Sequence, residues 1–97
     1  MAVVLVFQGP SLTQELYEES VRKLTGGRNR VETPADWPVE GLLVHIAGQG
    51  ERGFRVVDVW ESEEAFGRFG EKIGPILEEV GVTDPPEVYP AHTFVSD

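Results

Sequence analysis

The order of hydrophobic patterns constrains the fold of this chain more than any other feature. Residues 3–7, 42–47 and 54–60 are short runs rich in β-branched and aromatic residues, and residues 88–95 form a similar run after two prolines. Each run is typical of a β-strand. Apolar residues at helical spacing predict one helix after the first strand and another after the third. Their positions are Leu12, Leu16, Val21 and Leu24, and then Phe66, Phe69, Ile73, Leu77 and Val80.

The resulting order is strand, helix, strand, strand, helix, strand. It predicts an α+β protein with a ferredoxin-like βαββαβ sandwich, in which both helices cover one face of a four-stranded antiparallel sheet. A length of 97 residues suits one domain, so we expect a single domain over residues 1–97. Pro90 cannot donate a ladder hydrogen bond, which predicts that the last strand lies at an edge of the sheet.

Capping signals mark where the two helices begin. Ser11 with Gln14 matches a capping box, and Ser62 precedes Glu63 and Glu64, whose charges suit the first turn of a helix. Both serines are therefore predicted to be helix N-caps.

Proline and glycine mark the interruptions. Pro75 predicts a kink or a split in the second helix. Residues 48–53 contain three glycines and predict a hairpin turn between the second and third strands. Residues 28–40 read as a long loop, and we expect Trp37 within it to dock on the rest of the domain.

The strands are apolar on both of their faces. Residues 3–7 and 42–44 are apolar without alternation, and Val56 is followed by Val57. Two helices cover only one face of a sheet, so the other face would expose a large apolar patch. Packing against a second copy buries such a patch, and the sequence therefore predicts a homodimer.

Composition excludes several classes of function. The net charge is −9 and the eight basic residues are scattered, which argues against binding nucleic acid. The chain has no cysteine, which excludes disulfides and Cys-ligated metals. The apolar run at residues 3–7 is too short to span a membrane and no signal-peptide pattern precedes it, so we expect a cytoplasmic protein.

One segment resembles a known family. Residues 59–66, VWESEEAF, resemble the strand-to-helix junction of the dimeric α/β-barrel superfamily, which includes antibiotic-biosynthesis and haem-degrading monooxygenases. The order of elements agrees across almost the whole chain, and the chain is most similar to the small uncharacterised members. The resemblance implies that the sheets of two protomers pack face to face into an α/β barrel. It also implies a small, largely apolar molecule held between the sheet and the helices of one protomer.

The chain departs from the haem-degrading members of that superfamily. Those proteins use an Asn at the end of the first strand, and a Trp and a His in the second helix. The matching positions here hold Gln8 and Phe69, and the predicted second helix contains no histidine. Haem degradation is therefore not expected, and no cofactor is implied.

Two polar residues interrupt the apolar strands. His45 lies in the second predicted strand and Asp58 in the third. A buried carboxylate needs a partner. If the turn has an even number of residues, the two share a face as diagonal neighbours roughly 7–8 Å apart at the backbone. Such a pair either positions a general base or is a structural ion pair that only fixes the register.

The remaining candidates are weaker. His92 and Tyr89, on the last predicted strand, favour an interface role. No ligand spacing supports a metal site, so none is predicted. Gly67, Gly70 and Gly74 form a stripe on the second helix, which either makes room for a ligand or reflects local irregularity before Pro75.

Two interpretations of function follow. In the first, a homodimeric α/β-barrel protein binds a small apolar molecule against Trp60, Phe69 and His45, with His45 and Asp58 as candidate catalytic groups. If it is an enzyme, the resemblance implies a cofactor-independent monooxygenase or isomerase. In the second, the protein is a non-catalytic structural or interaction dimer. A pocket of roughly 300 Å3 or more beside His45 or Asp58 would favour the first, and a filled core the second.

Overall fold

The elements of the structure follow the predicted order. The structure, a computed structural model, describes residues 1–27 and 32–96. Its elements are β1 (Val3–Gln8), α1 (Gln14–Thr25), a short 3-10 helix (Pro34–Asp36), β2 (Leu42–Gly50), β3 (Gly53–Trp60), α2 (Glu63–Val80) and β4 (Glu87–Pro90). The four strands form one antiparallel sheet in the order β2-β3-β1-β4, which is compatible with the ferredoxin-like arrangement. Residues 28–31 of the predicted 28–40 loop lie outside the described residues.

The last strand is shorter than predicted. β4 lies at an edge, as Pro90 indicated, but it ends at Pro90 rather than at residue 95. Pro90 pairs with Val3, the first residue of β1, and beyond this pair the described residues continue the ladder only by the hydrogen bond from the Ala91 amide to the Ala2 carbonyl, at 2.9 Å. His92 therefore lies exposed beyond the strand, and its predicted place within the strand is wrong.

The N-cap of α1 is Thr13 and not Ser11, so that prediction is wrong. The Thr13 side chain accepts a hydrogen bond from the Leu16 amide at 3.2 Å. Ser11 instead joins the start of α1 to the segment after α2, because its hydroxyl donates to Asp84 and accepts from the amides of Thr83 and Asp84. Asp84 is 73 residues away from Ser11, so a local capping pattern cannot reveal it as the partner.

The second helix begins as predicted and continues through its proline. The Ser62 side chain accepts a hydrogen bond from the Ala65 amide at 3.1 Å and caps the helix. The helix runs on past Pro75 to Val80, so the proline does not split it. Pro75 and Glu71 are exposed, and water can therefore hydrogen-bond the Glu71 carbonyl that loses its helical partner.

One face of the sheet packs against both helices. The main buried cluster joins residues of β1, β2 and β3 to residues of α1 and α2, together with two from the segment before β2. Its members are Leu5, Val21, Leu24, Trp37, Val39, Leu42, Trp60, Ala65, Phe69 and Ile73. The two helices therefore cover the same side of the sheet.

The other face of the sheet is also apolar, as the strand pattern predicted. The register places Val6, Val57 and Ile46 side by side across β1, β3 and β2, on the side away from the helices. Ile46 is 59% exposed and Tyr89, on the same face at the β4 edge, is 43% exposed. The apolar residues of this face, called here the open face, are Val4, Val6, Val44, Ile46, Val57, Val59 and Tyr89.

Candidate functional site

The hairpin of β2 and β3 brings the two predicted polar residues together. Gly50 pairs with Gly53 across a turn of two residues, and the ladder then pairs His45 with Asp58. The two residues share a face, as an even turn requires, but they are directly opposite each other and not diagonal. His45 Nδ1 lies 2.6 Å from Asp58 Oδ1. The bond is therefore set by the backbone register of the hairpin.

Burial of Asp58 indicates which nitrogen of His45 donates a hydrogen bond to it. Asp58 is 2% exposed, and a carboxylate removed from water needs a donor. We therefore assign a proton to His45 Nδ1, which donates to Asp58. In the tautomer that carries its proton on Nδ1, Nε2 is an acceptor, and the hydroxyl of Tyr17 lies 2.5 Å from it. The three side chains form a continuous hydrogen-bonded chain from Tyr17 through His45 to Asp58.

Tyr17 reaches this chain from α1. It lies on the same side of the helix as Val21 and Leu24, four and seven positions further along. Its ring stacks on that of His45 with centroids 5.8 Å apart. Burial, then the charges of Asp58 and Glu18, raise the pKa of Tyr17 to about 12. The hydroxyl therefore keeps its proton at neutral pH.

Sequence reasoning did not single out Tyr17. The helical spacing of Tyr17, Val21 and Leu24 was a signal for its burial, but nothing local indicated a histidine 28 residues away. The available signal was the hydroxyl of Tyr17 on the buried side of α1, because His45, in an apolar strand, needs a hydrogen-bond partner.

Trp37, in the segment before β2, packs against His45 and covers that side of the site. It is 8% exposed, which confirms that it docks on the domain. Its ring meets His45 edge-on with centroids 4.9 Å apart and meets Phe69 edge-on at 5.7 Å. Its indole Nε1 is buried and has no hydrogen-bond partner among the residues that the structure describes.

A small apolar cavity lies between the sheet and the helices beside this chain. Its volume is about 40 Å3, well below the roughly 300 Å3 that a pocket for a drug-sized ligand needs. It has room for water-sized groups. Its lining is Phe7, Leu12, Tyr17, Ser20, Val21, Leu24, Trp37, His45, Val56, Asp58, Phe69, Ile73 and Leu77.

Some of the predicted ligand-contacting residues line the small cavity, and one lies behind the residues that line it. His45 and Phe69 line the cavity together with Asp58. Trp60 is fully buried and stacks on Phe69, with ring centroids 4.7 Å apart, but it does not line the cavity. Tyr89, on β4, and His92, beyond it, lie toward the edge of the sheet opposite β2 and do not join the site.

A larger groove adjoins the cavity along the free edge of β2. Its volume is about 260 Å3, and its lining residues are Glu32, Thr33, Trp37, Leu42, Leu43, Val44 and His45. Trp37 and His45 line both the groove and the cavity. These two rings therefore separate the interior from the edge of the sheet.

The glycine stripe of α2 does not contribute to the cavity. None of Gly67, Gly70 and Gly74 lines it, and a Cβ added at any of them would meet no atom within 4 Å. The proposal that these glycines make room for a ligand therefore lacks the contact that it needs.

The arrangement is suited to moving a proton. The histidine has an orienting carboxylate on one nitrogen and a hydroxyl on the other, which is the order of groups in an acid–base relay. Among the residues described, no group of three or more His, Asp and Glu is placed to hold a metal ion.

Comparisons with known proteins found no matching family model, no matching curated protein and no matching solved structure. Within the described ranges, no helix has both the length and the apolar character needed to cross a membrane.

Proposed function

We propose that this protein binds a small, mostly apolar molecule beside Tyr17 and catalyses proton transfer on it, as an isomerase does. One observation carries the proposal: a hydrogen-bonded chain from buried Asp58 through His45 ends at Tyr17, a residue that lines an apolar cavity. Such a site excludes water from the reacting group, and this strengthens every electrostatic interaction inside it.

The proton path follows the order of the three side chains. A proton leaves the substrate for the Tyr17 oxygen while the Tyr17 proton moves to His45 Nε2. The imidazolium that forms is stabilised by the Asp58 carboxylate, 2.6 Å from Nδ1. Reversal of both transfers returns a proton to a different atom of the substrate. The sequence of steps consumes no oxidant and no cofactor.

The two adjoining spaces suggest where the substrate lies. The cavity of about 40 Å3 accepts only the reacting end of a molecule, whereas the groove of about 260 Å3 accepts a larger body. Because Trp37 and His45 line both spaces, a substrate in the groove can reach Tyr17 only between or past these rings.

We infer further that the protein is a homodimer whose two sheets pack through their open faces as an α/β barrel. Support comes from the apolar residues that this face presents, with Ile46 59% exposed and Tyr89 43% exposed. A face of this kind on a lone sheet is a recognised interaction surface, and a two-fold pair is the commonest way to cover it.

The test of catalysis is exchange of the methyl hydrogens of acetophenone in heavy water, followed by proton NMR. We expect the wild-type protein to accelerate exchange above the buffer rate, and Tyr17→Phe and His45→Gln to slow it by roughly a hundredfold or more. Tyr89→Phe, which removes the other tyrosine at the far edge of the sheet, is the matched control and should leave the rate unchanged. Equal rates for wild type and Tyr17→Phe would contradict the proposal.

Dioxygen uptake during the same reaction separates the isomerase from a cofactor-independent monooxygenase. An isomerase consumes no dioxygen while it exchanges protons. Uptake in step with product formation would assign the protein to the monooxygenase class instead.

The small volume of the cavity favours a second candidate, a non-catalytic dimer in which His45 and Asp58 only fix the register of the hairpin. Native mass spectrometry of gently purified protein distinguishes the two. Extra mass on the dimer supports ligand binding, and a clean dimer without acetophenone exchange supports the structural role.

A further inference from the structure

The hydroxyl of Tyr17 is hydrogen-bonded to a base inside the protein. His45 Nε2 lies 2.5 Å from the hydroxyl oxygen and is its only hydrogen-bond partner among the residues that the structure describes. Burial is the main reason that the pKa of Tyr17 is raised to about 12, so the phenol keeps its proton at neutral pH. A reaction that removes this proton within the fold therefore delivers it to His45.

Loss of one electron is a reaction of this kind. A phenol that has lost an electron is a strong acid, so a tyrosine is oxidised readily only where a base takes its proton at the same time. His45 Nε2 is in place to take it. The Asp58 carboxylate, 2% exposed and 2.6 Å from Nδ1, stabilises the imidazolium that forms. The three side chains therefore supply what the oxidation of a tyrosine needs.

The surroundings of Tyr17 also suit a radical. Its ring stacks on that of His45 and lies 5.2 Å from that of Phe54, measured between centroids, and these rings shield the phenol from a second radical. Tyr17 is nevertheless only half-buried, so a small oxidant in solution comes close enough to accept an electron. Tyr89, the other tyrosine, is 43% exposed, and no described histidine bonds to its hydroxyl. It provides a comparison within the same chain.

We propose that Tyr17 is a redox-active tyrosine, which gives one electron to a one-electron oxidant while its proton moves to His45. The O–H bond of Tyr17 breaks, an N–H bond forms at His45 Nε2, and the oxidant gains the electron. The products are a neutral tyrosyl radical and an imidazolium paired with Asp58, and no proton leaves the protein. An electron from a reductant reverses both transfers. The inference does not rest on the proposed function, because it needs no bound substrate.

Oxidation by tris(bipyridine)ruthenium(III), followed by electron paramagnetic resonance, tests the assignment. This cation reacts by electron transfer alone, and the net charge of −9 favours its approach. We expect a persistent tyrosyl signal from the folded wild type, its loss when the protein is unfolded in urea, and recovery of intact tyrosine after ascorbate is added. Ring-deuterated tyrosine should narrow the signal, which distinguishes it from a radical on either of the two tryptophans.

Variants then locate the radical and the base. Tyr17→Phe should lose the persistent signal, and Tyr89→Phe, the matched control, should keep it. His45→Gln retains a hydrogen-bonding side chain that cannot take the proton, so the rise of tyrosyl absorbance in stopped flow should slow by roughly a hundredfold or more. Circular dichroism shows whether each variant is folded, and the comparison of folded with unfolded wild type needs no variant.

Three results would overturn the proposal. The first is a folded wild type without a persistent tyrosyl signal, and the second is a signal that remains unchanged in Tyr17→Phe. The third is an unchanged rate in His45→Gln, which would show that the proton leaves by another route. None of these measurements involves acetophenone, so the proposed function stands or fails by its own exchange test.

Discussion

His45 and Asp58 face each other directly across β2 and β3, with Nδ1 of the imidazole 2.6 Å from Oδ1 of the carboxylate. The pairing places a carboxylate that is 2% exposed against the only strand histidine of the hairpin. Because the register of the backbone sets the contact, we expect the bond to stabilise the sheet whether or not the protein is an enzyme.

Removing the charge of Asp58 should therefore destabilise the fold. Asp58→Asn keeps the shape of the side chain but weakens the bond to His45, and we expect the free energy of unfolding to fall by about 1–3 kcal/mol. Urea denaturation measures the change. Glu51→Gln, at an exposed position of the hairpin turn, is the control and should stay within about 0.5 kcal/mol of wild type. A variant Asp58→Asn as stable as wild type would show that the pair contributes nothing.

The raised pKa of Tyr17 predicts a loss of stability at high pH. Burial and the Asp58 charge raise this pKa from 10.0 to about 12, so the folded state holds the tyrosine proton more tightly than the unfolded state. The contribution of the Tyr17 proton to the free energy of unfolding is complete below pH 10 and is lost as pH rises from about 10 to about 12. Denaturant unfolding over this range should show a steeper decline for wild type than for Tyr17→Phe. All other ionisable groups are the same in both proteins, so parallel declines would show that the Tyr17 pKa is not raised.

Acid should weaken the hydrogen bonds from Ser11 to Asp84. Hydrogen bonds from the Ser11 hydroxyl and amide lower the pKa of Asp84 below its ordinary value of 3.8. The stabilisation is present above pH 3.8 and is lost as pH falls through the lower folded pKa. Asp84→Asn should therefore lower the melting temperature at neutral pH, with a difference that narrows on acidification. A difference that stays constant down to pH 2 would contradict the assignment.

The glycines of α2 should respond to substitution in the opposite way from Gly41. Nothing lies within 4 Å of a Cβ at Gly67 or Gly74, so Gly67→Ala and Gly74→Ala should each raise the free energy of unfolding by about 0.5–1 kcal/mol. Gly41 has φ +107, and its Cβ would lie 2.5 Å from that of Ala65, so Gly41→Ala should destabilise. Chemical denaturation compares the three. Loss of stability in the α2 variants would reveal a contact with a second copy or a ligand.

A lysine on the open face should prevent dimerisation. Ile46→Lys places a charge on an apolar surface that we propose to be buried between two sheets, and it should convert a dimer into a monomer in sedimentation velocity. Val88→Lys is the matched control, because Val88 is 43% exposed but lies on the helix side of the sheet. A monomeric wild type, or a dimer that persists in Ile46→Lys, would contradict the proposed interface.

Local patterns in the sequence determined the elements and their order. Three examples are the apolar run of β1, the cap at Ser62 and Gly81, the residue with φ +90 at which α2 ends, and each acts within a few residues. Such signals are readable because a short apolar run, capping and positive φ are properties of a short segment. The same reasoning identified the polar residues His45 and Asp58 as unusual in their apolar surroundings.

Tertiary structure decided which of these residues meet. Whether His45 and Asp58 are diagonal or opposite depended on which two residues form the turn, and three glycines in residues 48–53 left several choices. Tyr17 forms a hydrogen bond with His45, which is 28 positions away in the sequence. Ser11 does not cap α1 and instead forms a hydrogen bond with Asp84, which is 73 positions away. These contacts arise when α1 and the segment after α2 pack against the rest of the fold. The free energy of a hydrogen bond depends on which groups that packing buries together, and no local pattern encodes it.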